Sequence, residues 1–208
     1  MIACLILVSM FVAQPQAAEV VRVPPTAQRV TFDPKDPSPR VPQLREGENA
    51  ICRTHFDAQI AYQHEVISRD SEDGVTVRLR DARITLSMHN TIFVPTDCRP
   101  PLRTHEEGHR VISERIYERE AEEVARHAAL RMTGNTWTAP NIAEAVAAAE
   151  SEFRVLYRQR LAKRIAHVNV RYDEITRHGA NRDVTVVDAI DQAFDEQTTS
   201  ATTRPNSP

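Results

Sequence analysis

Between residues 50 and 94 the apolar residues of this chain recur every second position, and beyond residue 100 they recur with a helical period. That change limits the fold more than any other feature. In "VTVRLRDARITLSM", apolar Val75, Val77 and Leu79 alternate with polar Thr76, Arg78 and Arg80, as a half-buried strand requires. "HFDAQIAYQHEVIS" precedes this run, "ITLSMHNTIFVP" overlaps and follows it, and "SEDG" supplies a turn. Three or four antiparallel strands are expected, ended by "CRPP". Two long helical stretches follow. The first runs over 102–132, with Thr104 as a possible N-cap and "TGN" as its stop. The second runs from near Pro140 to Gly179, with Gly179 as a C′ glycine. The predicted class is α+β, a small antiparallel sheet followed by two long helices.

The flanks read differently. Residues 1–18, "MIACLILVSMFVAQPQAA", have the apolar run and small-residue end of a secretory signal peptide, too short for a permanent membrane anchor. Residues 19–49 contain "PPT" and "DPKDPSPRVP" and are expected to be an extended Pro-rich strap. The folded domain is placed at 50–196, followed by a disordered polar tail over 197–208. Export removes Cys4 and leaves Cys52 and Cys98, an even pair that in an oxidising compartment reads as one disulfide. A net charge of −3 gives no reason to expect nucleic acid as a partner. Nothing in the sequence decides the oligomeric state.

The chemistry concentrates in "THEEGHRVIS". His105 and His109 are four apart, so on a helix both imidazoles lie on one face and can meet one zinc ion. Glu106 is set about a hundred degrees round the helix, off the metal but near enough to take a proton from zinc-activated water. Ile112 and Ile116 continue the histidine stripe, so that face is buried. The third ligand is not fixed by spacing. Glu114 lies about half a turn from the histidine face, and Glu144, Glu150 and Glu152 have no distinguishing neighbourhood. His167 is a reserve, because it stands eleven residues before His178 on a similar face. His178 closes "YDEITRHG" at the end of the second helix, and an antiparallel helix pair would return it towards His105. His55, His64, His89 and His127 lack ligand spacing and read as ordinary strand or exposed-helix residues.

The combination of "HEEGH" with "YDEITRHG" resembles a bacterial family of uncharacterised exported proteins described as predicted secreted zinc-dependent proteases. Their signature pairs H-E-x-x-H with a downstream Y-D-x-x-T-x-H-G. The resemblance spans about Cys52 to Gly179, and the chain departs from the family pattern just after Gly179, at "ANRDVTVVD". It implies a zincin-like metal site of His105, His109 and His178. It also implies a periplasmic or extracellular metalloprotease that hydrolyses peptide bonds in a peptide or protein substrate. In that reading Glu106 is the catalytic base, Asp173 orients a ligand histidine from behind, and Tyr172 hydrogen-bonds the developing oxyanion. Two rival readings remain. One is a non-catalytic envelope-binding domain with a structural zinc site, and the other is a metal-free domain in which H-E-x-x-H is coincidence.

Overall fold

The computed structural model describes residues 18–35, 40–44, 49–70 and 74–200. The expected signal segment, 1–18, lies outside them apart from Ala18. The sheet is built around two strands far longer than the average: β3, Ile51–Asp70, and β4, Gly74–Pro95. At about 3.3 Å per residue each runs roughly 66–73 Å, so the two overlapping strand-like runs of the sequence form a single strand. β3 and β4 pair antiparallel from Ile51↔Phe93 to Asp70↔Gly74.

The pairing slips twice, once between Gln63 and His64 and once between Val66 and Ser68. At the first slip Arg80 has no opposite number, because Gln63 faces Asp81 and His64 faces Leu79. One extra residue exchanges the faces of a strand. The buried set accordingly changes parity, from Val77 and Leu79 to Ala82, Ile84, Leu86, Met88, Asn90 and Ile92.

The expectation of a purely antiparallel sheet is corrected, as is that of a strap outside the domain. β1, Glu19–Arg22, and β2, Thr26–Phe32, both pair parallel to β4, at Glu19↔Arg83 onwards and at Thr26↔His89 onwards. β5, Thr136–Ala139, pairs antiparallel with Val75–Arg78, giving a mixed five-stranded sheet. β1 and β2 are separated at Pro24 and Pro25, which have no N–H to give to a ladder. Proline density therefore broke an edge strand in two without removing it.

One face of this sheet carries the helices. α1, Pro100–Met132, starts earlier than expected. Arg99 is its N-cap and has no side-chain capping bond, while proline occupies the first turn, where a missing N–H costs nothing. Thr104 is therefore inside the helix. α2, Ile142–Thr176, is capped by Asn141, whose side chain accepts from Glu144 N at 3.0 Å. Tyr117, Phe153, Tyr157, Leu161, Ile112 and Ile116 are fully buried between the helices and Leu79, Ile84 and Leu86. Each aliphatic or phenylalanine side chain among them contributes about 1.5–3 kcal/mol by leaving water. The hydroxyl of Tyr117 reaches Leu86 O at 2.8 Å and Val23 O at 2.9 Å, pinning α1 to both β4 and the N-terminal strands.

α3, Val186–Ser200, is a third helix in place of the short apolar segment and the first part of the expected tail. Thr185 caps it, accepting from Asp188 N at 3.1 Å and donating to its carboxylate at 2.6 Å. The rest of the tail, 201–208, lies outside the described residues. Among the described residues no helix is long and apolar enough to cross a membrane.

The expected Cys52–Cys98 disulfide is not formed, and both cysteines are free. They share a small apolar cluster with Ala50, Ile92, Val94 and Leu102. The Cys98 thiol is turned onto Arg99 O at 3.6 Å. Cys52 lies against α1, where burial first and then the charges of Glu106 and Glu107 push its thiol up to about 12. A thiol held protonated in this way is a poor nucleophile for oxidation.

Candidate metal centre

α1 and α2 run antiparallel, and the N-terminal part of α1 meets the C-terminal part of α2. What allows them to close is Gly108. A Cβ there would lie 2.0 Å from Tyr172 Oη and 2.4 Å from Cζ, so only glycine admits the fully buried tyrosine. The Tyr172 ring then stacks on His105 at 5.0 Å with the planes 9° apart, and meets His109 edge-on at 5.1 Å. Its hydroxyl donates to His105 O at 3.3 Å. This corrects the oxyanion role expected of Tyr172. A phenol fully buried and engaged with the α1 backbone sets the pose of the histidines and is not presented to a substrate.

The Gly108→Ala variant should consequently be severely destabilised. Alanine is the better helix former by about 1 kcal/mol, but overpacking a pinned aromatic ring should cost about 3 kcal/mol or more. Urea denaturation would measure the loss, and a midpoint equal to that of the parent would contradict the packing described.

Three atoms converge beside Tyr172. His105 Nε2 and His109 Nε2 are 3.1 Å apart, and each is 3.1 Å from Asp173 Oδ1. The other ring nitrogens are engaged. His109 Nδ1 lies 3.1 Å from Asn169 Oδ1, an oxygen that can only accept, so Nδ1 carries the proton there. His105 Nδ1 lies 3.2 Å from Thr176 Oγ1, whose own proton goes to Tyr172 O at 2.7 Å, which assigns Nδ1–H to His105 as well. Both Nε2 atoms therefore turn lone pairs towards a carboxylate oxygen that is buried and has no conventional hydrogen-bond donor.

Three acceptors at such distances repel unless a cation or a shared proton lies among them. Two ligands each about 2.0 Å from a tetrahedral ion stand about 3.3 Å apart, close to every edge of this triangle. His105, His109 and Asp173 can hold a metal ion.

The electrostatics describe the same triangle with a proton in it. Burial favours the neutral form of His105 and lowers its pKa, against the opposing pull of the hydrogen bond that its protonated form donates to Asp173. For His109, burial also acts to lower the pKa, but the Asp173 hydrogen bond and charge and the Asn169 hydrogen bond outweigh it and raise the value. Asp173 feels burial pushing its pKa up, and the two histidines overcome this and hold its carboxyl well below the usual range. A metal entering the triangle competes with the proton of His109.

His105 and His109 thus stand where the sequence places them, and Asp173, expected behind a histidine, occupies the third corner. His178 does not. Helix α2 ends at Thr176, and Arg177, His178 and Gly179 all have left-handed backbone, with φ of 49°, 53° and 81°. Gly179 packs on α1, where a Cβ would come within 3.1 Å of His105 Cβ and 3.3 Å of Pro101 O. His178 is left at the rim, its side chain 78% exposed and its Nδ1 3.6 Å from Asp173 Oδ1.

Glu106 is buried, and its charge acts on Cys52, His109 and Tyr172. His167 is exposed on α2 and outside the triangle. Glu144, Glu150 and Glu152 serve Asn141, Arg154 and Trp137 towards the opposite end of α2, and Glu114 pairs with Arg110. His55 and His89 face each other across β3 and β4. Asn169 was missed, although Asn169, Asp173 and Thr176 follow the i, i+4, i+7 spacing that places them on one face.

No protein-family model, no curated protein and no solved structure matches this chain.

Proposed function

We propose that the chain is an exported zinc-dependent peptidase, in line with its resemblance to predicted secreted zinc-dependent proteases. The observation that carries this reading is the acceptor triangle of His105, His109 and Asp173 with the buried carboxylate of Glu106 one residue along the same helix. Two imidazoles and one carboxylate form a ligand set that zinc accepts in hydrolytic sites, with a fourth position left open. Zinc held there would supply Lewis-acid polarisation of the scissile carbonyl and a lowered pKa for water.

The protein's own groups do the rest. Asn169 and Thr176 fix the tautomers of the two histidines, as outer partners of metal ligands do. Tyr172 and Gly108 set the spacing of the helices. Glu106 accepts the proton of the attacking water and returns it to the departing amine. Asp173 and His178, on the more open side of the triangle, face the side from which a peptide would approach. Export is supported by the apolar run and small-residue end of residues 1–18, the pattern of a secretory signal peptide.

His178 favours a second reading. It stands close enough to Asp173 for a turn of its side chain to bring a fourth protein ligand, and four ligands without an open position characterise a structural zinc site. One experiment separates the two. Purified mature protein should contain about one zinc per chain, and it should cleave members of a peptide library in a way that a chelator abolishes and added zinc restores. Zinc bound at that stoichiometry without chelator-sensitive cleavage would select the structural reading. Absence of any bound divalent metal would overturn both.

A further inference from the structure

Arg177 and His178 are the only non-glycine residues with positive φ among the described residues, and both stand at the rim of the metal centre. Residues with a Cβ rarely adopt this backbone, and such strain concentrates at active sites and ligand clamps. Hydrogen bonds hold the turn in place. His178 N–H donates to Asp173 O at 3.2 Å, Ala180 N–H to Arg177 O at 3.1 Å and Asn181 N–H to Thr176 O at 2.9 Å. The Asn181 side chain donates to Ile175 O at 2.9 Å, and Gly179 packs on His105 and Pro101. Arg177 is thereby fixed one helical turn, about 6 Å, beyond Asp173, and two residues from the glycine that touches His105.

The same backbone separates Arg177 from its natural partners. It follows Glu174 by three residues and Asp173 by four, the spacings at which a helical arginine pairs with a carboxylate. Both carboxylates are engaged elsewhere. Glu174 accepts from Arg171 at 2.7 Å, and Asp173 faces the two histidines. Arg177 is exposed and makes no ion pair among the described residues. Arg182, exposed in the same turn, makes none either. A helix C-terminus favours a cation through its dipole. That accounts for a charge near this end of α2, but not for placing it on a backbone that glycine fits better.

We infer that Arg177 is a carboxylate-binding residue at the rim of the metal centre, which makes acidic peptides the substrates of the proposed peptidase. A guanidinium presents a planar fork of N–H donors that meets a carboxylate through two parallel bonds. The carboxylate belongs to an Asp or Glu side chain close to the scissile bond, or to a free C-terminus there. Its place beside a scissile bond rests on the peptidase reading, while the carboxylate site itself does not.

The test uses the zinc-loaded mature chain and end-blocked peptides of one alanine- and leucine-based host, with Glu, Gln or Lys scanned through every position. Cleavage gives kcat and KM, and fluorescence anisotropy of a labelled Glu peptide gives binding whether or not it is cut. A Glu close to the cleaved bond should lower KM by about tenfold against Gln, as a charge-assisted pair does. Arg177→Gly should raise the KM of the Glu peptide to that of its Gln counterpart. Arg177→Lys should keep part of the preference, and Arg177→Glu should turn it towards Lys. Glycine suits a φ of 49°, so the thermal midpoint of Arg177→Gly should be close to or above the parent's. A cation that served only the helix dipole would move that midpoint without changing the choice among peptides. The same gain from a Gln peptide with an unblocked C-terminus would assign the carboxylate to the chain end. Chelator-sensitive cleavage with equal KM for Glu, Gln and Lys would overturn the inference and leave the peptidase reading standing. So would a Glu preference that survives in Arg177→Gly. Binding of the Glu peptide that requires Arg177, with no cleavage, would keep the carboxylate site and remove the peptidase reading. Neither binding nor cleavage would remove both.

Discussion

Asp173→Ala is expected to release zinc, leaving an affinity well over a hundredfold below that of the parent. Removal of an outer partner of a ligand typically costs about ten- to hundredfold, and Asp173 stands at a corner of the triangle itself, 3.1 Å from both Nε2 atoms. Asn169→Ala and Thr176→Val should show that smaller loss, since each removes only the acceptor that holds a ring nitrogen. His178→Ala should bind zinc within a few-fold of the parent, because its imidazole is at the rim. Competition with a chromophoric chelator measures all four. The reverse order, with His178→Ala releasing the metal and Asp173→Ala keeping it, would return His178 to the shell and make Asp173 its orienter.

Glu106→Gln should abolish hydrolysis while leaving the metal in place. The amide keeps the shape of the buried side chain but cannot take a proton at neutral pH. Loss of a general base costs on the order of 10²–10⁴ in rate. Glu106 is not among the three converging ligands, so zinc content and the unfolding midpoint should stay near those of the parent. The measurement is cleavage of an unfolded protein by the zinc-loaded variant, alongside its metal stoichiometry. Parental activity with zinc bound would remove Glu106 from the mechanism. Loss of zinc in the variant would mean that Glu106 holds the metal and does not move protons.

Much of the site was readable because it depends on local helical geometry. His105 and His109 share a face at i, i+4, and Ile112 and Ile116 extend it into a buried stripe, as their full burial confirms. The same rule applied to the second helix groups Asn169, Asp173 and Thr176. It does not apply to His178, which lies past the end of α2 where the backbone turns left-handed. The motif places His178 near the site, and the turn decides that it points outwards. Tyr172 was legible as a site residue but not as a buried one. That depended on Gly108, whose missing side chain on a different helix leaves room for the ring.

By itself the sequence determined that a strand-rich stretch precedes two long helices, the helical faces and the two histidines, because these follow from periodicities of two and 3.6 residues. Tertiary structure alone decided the rest. A parallel edge formed from β1 and β2 requires partners more than sixty residues away, at Arg83 and His89. The parity change at Arg80 depends on which residue of β3 stands opposite. The free cysteines follow from where each thiol is turned inside a shared cluster, not from their even number. The third corner of the metal triangle was settled by how closely two antiparallel helices approach, and that approach is set by one glycine against one tyrosine.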